Sequence, residues 1–499
     1  MRFDRRTCSQ ARLTRDARFD GRFFIGVRST RIYCRPICPV RAAKEENVTY
    51  FPTAAAAAEA GYRPCMRCRP ESSPGTPAWL GTSATVGRAL RLISEGSVED
   101  EGIERLAARL GIGSRQLRRL FLQHLGATPS AVIKTRRLHF AKKLIDETIL
   151  PFSAIAHASG FGSVRRFNSA FRKTYGRTPS EIRRFSRSNR SLKSTDEYEF
   201  RLSFRPPFQW QAFLNYLAKR AIPGVEFVDA DSYRRTIAFN GCSGTLRVAL
   251  EETNSALRVQ ISLADPRWLF QIIEKVRRLF DLTADPREIS AHLVRDPMLA
   301  ERVAKIPGLR IPGSWDGFEL AVRAILGQQI SVAGASTLAG RLVERFGVEI
   351  RDPAPLTHLF PKAAQLAKAN LEQIGLPKAR AETIRTLARH VADGRIGFDS
   401  VQDTEEFRAR LLEIPGIGDW TAQYIAMRAL NDTDAFPSGD LGLMRAMSLN
   451  TAREIARRAE AWRPWRAYAA MYLWQPNGVE TKSKRARGKL KVQTSMFAG

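Results

Sequence analysis

From Tyr198 onward the chain alternates apolar and polar residues, in EFRLSFRPP, RRTIAFNGCSGTLRVAL and SALRVQISL, with N-G and S-G dipeptides where turns are expected. A period of two with such short turns predicts an antiparallel sheet. From about Asp265 the apolar residues recur at helical spacing between Pro and Gly punctuation, which predicts an almost wholly helical C-terminal half. Residues 103 to 185 contain a repeat: IERLAARLGIGSRQLRRLFLQHLGATPS and FSAIAHASGFGSVRRFNSAFRKTYGRTPS. Both copies read as a short helix, a Gly-centred turn, a serine N-cap (Ser114, Ser163), a basic helix and a closing G-x-T-P-S. The polar stretches ESSPGTP (71–77) and SRSNRSLKSTDE (186–197) read as linkers, and the terminal KSKRARGKLK as a disordered basic tail.

At 499 residues the chain predicts roughly three or four domains, because a single core stops growing well below this length. With 44% hydrophobic and 26% charged residues, wholesale disorder and fibrous structure are excluded. Eighty Lys and Arg against fifty Asp and Glu leave a formal charge of +30, which makes nucleic acid the expected partner. No apolar run is long enough for a membrane span, and MRFDRRTCSQ has no secretory core, so a cytoplasmic, nucleoid-associated protein is expected. Six cysteines are too few for a disulfide scaffold, yet four of them cluster. Cys8 and Cys242 stand apart and read as inert.

Cys34 and Cys38 form a C-x3-C pair and Cys65 and Cys68 a C-x2-C pair, together the four thiolates of one tetrahedral Zn²⁺ site. Spacing alone is satisfied by a structural zinc holding a small domain with a thin core. The surrounding text, DARFDGRFFIGVRSTRIYCRPICPVRAAKEENVTYF and AGYRPCMRCRP, resembles the N-terminal domain of Ada-type DNA alkylation-repair proteins. That resemblance implies that Cys34 is both a zinc ligand and the irreversible acceptor of a methyl group from a DNA methylphosphotriester, and that the loss of negative charge then tightens DNA binding. Arg35, Arg41, Arg63, Arg67 and Arg69 surround the cluster as candidates to hold the DNA backbone.

Each repeat has the spacing of a helix-turn-helix. Both resemble the AraC-type DNA-binding region, whose two motifs are joined by a helix, here TPSAVIKTRRLHFAKKLI. Arg115, Gln116, Arg119, Ser163, Arg165, Arg166 and Asn168 are the residues expected near bases or phosphates. Two units on one chain can enter successive grooves without a dimer, so a monomer is expected. In Ada-type proteins this order of domains makes a methylation-responsive activator, which implies RNA polymerase as a partner. The O6-methylguanine methyltransferase that often ends such proteins is excluded, because no cysteine follows Cys242.

LLEIPGIGDWTAQYIAMRAL (411–430) is a helix-hairpin-helix signature, in which Gly416 and Gly418 let the backbone approach a phosphate. DAFPSGDLGLMRA follows, and hairpin plus P-x-G-D resembles the HhH-GPD superfamily of base-excision DNA glycosylases, which implies that Asp440 is the catalytic carboxylate. Trp420 stands where strand-cleaving relatives carry a Schiff-base lysine, so a monofunctional enzyme is expected. No cysteines follow for an iron–sulfur cluster, so that cofactor is excluded. With AVRAILGQQISVAGA and AEAWRPWRAYAAMYLW, the segment resembles AlkA-type 3-methyladenine DNA glycosylases, and the sheet-rich stretch resembles that family's N-terminal domain. Trp420, Tyr424 and Trp474 are candidate walls for a flipped cationic base; aromatics at helical spacing equally fill a core. Asp440 also fits an N-cap. Gln328, Gln329 and Ile330 occupy the loop from which the family wedges an apolar side chain into the duplex.

The expectation is a multidomain, mainly α protein with an α+β part. It comprises a Zn(Cys)4 α/β domain (1–75), an all-α double helix-turn-helix (80–186), an antiparallel sheet with helices (198–285), an all-α helix-hairpin-helix glycosylase domain (286–480) and the tail (481–499). The rival expectation is a transcription regulator whose C-terminal half binds DNA without catalysis.

Overall fold

The computed structural model describes residues 4–74, 84–94, 102–186, 197–251, 253, 255–350, 355–398 and 404–475. The basic tail and most of the 186–197 linker lie outside the described residues. No helix among the described residues is long and apolar enough to cross a membrane.

The cysteine-rich unit is a four-stranded sheet in the order Val48–Phe51, Phe24–Val27, Ile32–Cys34, Arg63–Pro64. Only the last pair is parallel. Its main apolar cluster is small, formed by Cys8, Ala11, Phe19, Phe23, Ile25 and Val48, so cross-linking the sheet ends by metal has a clear stabilising role. Burial pushes the Cys8 thiol up to about 12, in keeping with an inert side chain.

Two features tie this unit to the next one. Thr53 caps the helix Ala54–Glu59, and its hydroxyl donates to the Leu125 carbonyl at 3.0 Å. Glu59 accepts from both the amide and the hydroxyl of Thr128, which caps the long joining helix Pro129–Glu147. The expected linker at 71–77 is corrected at its start. Pro70–Ser72 forms a 3-10 turn, and Glu71 is buried against Lys142 of the joining helix at 3.3 Å. A buried carboxylate requires such a partner, which turns this stretch into a docking element. Residues 75–77 lie outside the described residues.

Both helix-turn-helix units form: Gly102–Arg109 with Ser114–Leu125, and Phe152–Ala158 with Val164–Tyr175. Ser163 caps its helix by accepting from the Arg166 amide. Ser114 does not cap. Gly113 takes the extended cap conformation and leaves Ser114 inside the first turn. The first unit packs Leu106, Leu117, Phe121 and Leu125 with Ala55 and Ala56 of the zinc unit. The second shares one core with the following sheet, which joins Phe167, Phe171 and Tyr175 to Tyr198, Phe200 and Leu202.

That sheet is antiparallel throughout, in the order Glu197–Ser203, Ala256–Leu263, Cys242–Glu251, Ser232–Phe239, Glu226–Val228. Asn240 and Gly241, with φ of 41° and 89°, make the two-residue hairpin turn that N-G predicts. The S-G dipeptide is no turn. Ser243 and Gly244 lie inside a strand, where a Cβ on Gly244 would meet the Ser262 carbonyl oxygen at 2.0 Å. Among the described residues that follow, the regular elements are helices apart from the short pair Val348–Glu349 and His358–Leu359. Its core gathers helices from Pro286 to Leu473 together with Ile222 and Val225.

Candidate functional site

Four cysteines converge in the zinc unit. Cys34 ends a strand, Cys38 follows a turn closed by its amide on the Arg35 carbonyl, and Cys65 is held by its amide on the Tyr33 carbonyl at 2.9 Å. All four sulfurs lie within 4.8 Å of one another. Tetrahedral Zn–S bonds of about 2.3 Å fit such a cage, and four free thiols with no competing oxygen ligand suit Zn²⁺. Among the described residues these four cysteines form a single zinc site. Cys65 and Cys68 are buried, whereas Cys34 and Cys38 are half-buried.

Arg35 turns inward, against the expectation of a phosphate contact. Its guanidinium pairs with buried Asp20 and donates to the Cys68 carbonyl at 3.0 Å, while its amide points at the Cys68 sulfur at 3.3 Å. It orders the cysteine loop. Arg69 is likewise engaged, with Glu71 and with Asp146 and Glu147 of the joining helix. Arg41, Arg63 and Arg67 are exposed. Beside the cluster, Tyr33 Oη lies 2.9 Å from His139 Nε2 of the joining helix. Burial depresses the His139 imidazole to about 4, with Glu71 opposing that shift.

On the two basic helices, burial of one face leaves the other to solvent. Leu117, Phe121 and Leu125 point inward while Arg115 and Arg119 are exposed and Gln116 is half-buried. Phe167, Phe171 and Tyr175 point inward while Arg165, Arg166 and Asn168 are exposed. Ser163 is occupied as the cap.

In the C-terminal half the hairpin joins Thr404–Leu412 to Asp419–Ala429. Gly416 has φ of +92°, and a Cβ there would meet Thr383 Oγ1 at 2.3 Å, so the turn needs glycine. Gly418 is exposed and caps the second helix. Gln328 is tied back onto the hairpin, donating to the Gly416 carbonyl at 2.9 Å and to Thr421 Oγ1 at 3.1 Å. Gln329, at φ of +58°, and Ile330, 38% exposed, project instead.

One turn into the hairpin helix a cleft of about 780 Å³ opens, lined by Trp420, Tyr424, Asp440, Trp474 and Ile330. Trp420 and Tyr424 stack with ring centroids 5.5 Å apart and planes within 8°. Asp440 is indeed an N-cap, for Leu441–Met447, accepting from the Leu443 amide at 2.9 Å. The same carboxylate also accepts from Trp420 Nε1 at 3.0 Å and Trp474 Nε1 at 2.9 Å. Capping and lining the cleft are thus one arrangement, in which three N–H donors fix the acid at the cavity wall. Gly442 permits this, since a Cβ there would lie 2.8 Å from Asp440 Oδ1.

Sequence reasoning missed Tyr216, Arg220 and Arg428, which also line the cleft. Tyr216 Oη lies 3.1 Å from Tyr424 Oη, across 208 residues of sequence, and no local pattern signals such a pairing. Arg428, spaced four residues from Tyr424, carried a usable helical signal. It donates to Tyr424 Oη at 2.7 Å and to the carbonyls of Pro312 and Gly313.

Four family models match the chain in series. They are the metal binding domain of Ada over residues 7–71, a helix-turn-helix domain over 106–184, the AlkA N-terminal domain over 199–316, and the HhH-GPD superfamily base excision DNA repair protein over 322–465. A probable bifunctional transcriptional activator/DNA repair enzyme AlkA of Mycobacterium tuberculosis is 43% identical over 481 residues, covering 95% of this chain and 97% of the relative. DNA-3-methyladenine glycosylase 2 of Escherichia coli is 34% identical over 56% of this chain and 98% of its own length. The bifunctional transcriptional activator/DNA repair enzyme AdaA of Bacillus subtilis is 33% identical over 36% of this chain and 82% of its own. With zinc cage, paired helix-turn-helix and tryptophan-held carboxylate following one another in that order, the chain belongs to the family of bifunctional transcriptional activator/DNA repair proteins that join an Ada-type half to an AlkA-type DNA glycosylase.

Proposed function

We propose that the C-terminal half hydrolytically excises N-alkylated purines such as 3-methyladenine from duplex DNA, with Asp440 as the catalytic carboxylate. The arrangement that carries this reading is an acid fixed by two indole N–H groups and a helix amide at the wall of an aromatic cleft. A flipped cationic purine lies against Trp420 and Tyr424, with Trp474 beside it. Its C1′–N bond breaks and the base leaves with the electron pair, already activated by its own charge. Asp440 faces the oxocarbenium charge that develops on the sugar, and water adds to C1′, its proton passing to the carboxylate. Such an electrostatic contribution is worth on the order of 10²–10³ in rate. Gly416 and Gly418 grip a phosphate, and Ile330 is the apolar side chain placed to fill the emptied stack.

In the N-terminal half, Cys34 accepts a methyl group from a methylphosphotriester. Bound zinc keeps the cysteine sulfurs deprotonated. The Cys34 sulfur forms a bond to the methyl carbon as the carbon–oxygen bond breaks, and the oxygen keeps the electron pair as a phosphodiester anion. The exposed Arg67 and the exposed arginines of the two basic helices supply the DNA contacts, with RNA polymerase as the partner of the activated, monomeric form. The division into domains at 75, 186, 285 and 480 belongs to the same reading.

Base release from methylated duplex DNA by wild type and by Asp440→Asn tests the first activity, and equal release by both overturns it. For the second, intact-protein mass spectrometry after incubation with alkylated DNA should find one added methyl on Cys34, and its absence leaves a zinc unit that only scaffolds.

A further inference from the structure

The lining of the cleft is rich in cations. Lys219 and Arg220 follow the helix Trp210–Ala218, Arg323 projects from Gly317–Leu326, and Arg428 sits beneath Tyr424. Arg323 is neutralised by Glu226 at 3.2 Å and Glu319 at 3.8 Å. Arg220 lies over the Tyr216 ring at 3.8 Å, and Arg428 spends its other N–H groups on the Pro312 and Gly313 carbonyls. Neither of those two groups has a carboxylate among these contacts. A cationic base entering the cleft would be repelled by these groups unless negative charge other than Asp440 faces it.

We propose that the Tyr216–Tyr424 hydroxyl pair, aligned by Arg428, presents Tyr424 to the cleft as a phenolate, and that this anion selects cationic alkylated bases over neutral ones. Tyr216 and Arg428 are positioning residues here, acting through Tyr424. The inference rests on the base-pocket reading above and adds a contribution from the sheet-bearing domain. Arg428 donates to the Tyr424 oxygen at 2.7 Å and Tyr216 Oη lies 3.1 Å away, where either hydroxyl can donate; once Tyr424 is ionised its oxygen can only accept, and it takes both hydrogen bonds. Acceptance of that kind favours the ionised form. Burial alone would push the Tyr424 phenol up, but Arg428, Arg220 and the hydrogen bonds from Tyr216 and Arg428 bring it down to about 7. The Tyr216 phenol is raised, chiefly by burial, which leaves it the donor of the pair.

The sign follows. Excision of a cationic base rises as pH increases through about 7, where the phenolate forms. Removing the Tyr216 hydroxyl makes that ionisation harder and moves the rise to higher pH. The test uses the full-length protein with kcat/KM for release of 7-methylguanine, cationic, and hypoxanthine, neutral, from duplex DNA. In Tyr216→Phe the 7-methylguanine to hypoxanthine ratio near neutral pH should fall by about fivefold with the rise displaced upward, and in Tyr424→Phe the rise should vanish. Ultraviolet difference titration of wild type against Tyr424→Phe gives a readout free of turnover, and should show one phenolate forming near pH 7. A ratio and profile unmoved by Tyr216→Phe, or no tyrosine ionising below about pH 9, overturns this inference alone. A wild type that releases neither base overturns the pocket reading and this inference with it.

Discussion

Asp440 uses its two oxygens differently. Oδ1 receives the Leu443 amide and the Trp474 indole, and Oδ2 receives the Trp420 indole. Asparagine caps helices about as well as aspartate and keeps one oxygen acceptor, so Asp440→Asn should lose roughly 10²–10³ in base release with little change in melting temperature. Asp440→Ala should lose the cap as well, at a further cost of about 1 kcal/mol by denaturant unfolding. Gly442→Ala tests placement rather than charge. Its methyl would stand 2.8 Å from Oδ1 and 3.3 Å from the Trp474 ring, so the carboxylate must shift. Release should fall at least about tenfold, as small misplacements do in preorganised sites, while methyl uptake by Cys34 is unaffected.

The joining helix Pro129–Glu147 is the element on which the zinc unit rests. Its Lys142 meets Glu71, its Asp146 and Glu147 meet Arg69, and its His139 meets Tyr33. Burial would raise the Glu71 carboxyl, but Lys142, Arg69 and His139 hold it below its usual range. His139 is depressed from 6.5 to about 4, so its neutral form is the one compatible with the fold. Both groups contribute stability that is complete above their unfolded-state pKa values and is lost as pH falls through the folded ones. Thermal unfolding should therefore steepen in its pH dependence from about pH 6.5 downward toward 4, and His139→Gln should flatten that slope. Sequence showed this helix and the repeat around it, because amphipathic spacing and turn chemistry are local. It did not show that Arg35 and Arg69 face inward or that Glu71 anchors a contact. A charge run reads the same whether its partner is water or a carboxylate tens of residues away. The cleft lining divides in the same way: Trp420 and Tyr424 were legible from the hairpin and Asp440 from the P-x-G-D that follows it, and Tyr216 was not.

At the scale of the molecule, a chain of contacts runs from the zinc cage into the glycosylase half. Arg35 links the Cys68 carbonyl to Asp20, and two residues on, Arg22 reaches Asp285 at 2.8 Å with Asp285 fully buried. Removing one partner of a buried ion pair typically costs about 3–5 kcal/mol. Chelating the metal should thus lower the calorimetric melting temperature of the C-terminal half as well as that of the zinc unit. Arg22→Met should reproduce the C-terminal part of that loss with zinc still bound. The second helix-turn-helix unit and the sheet share one core, in which Phe140 meets Phe270 edge to face at 5.0 Å and Lys143 donates to the Arg201 carbonyl. Severing the chain between Ser186 and Glu197 would accordingly not free a regulator from a repair enzyme. The two pieces would cling together as a complex, and each made alone would offer a greasy wound to the solvent.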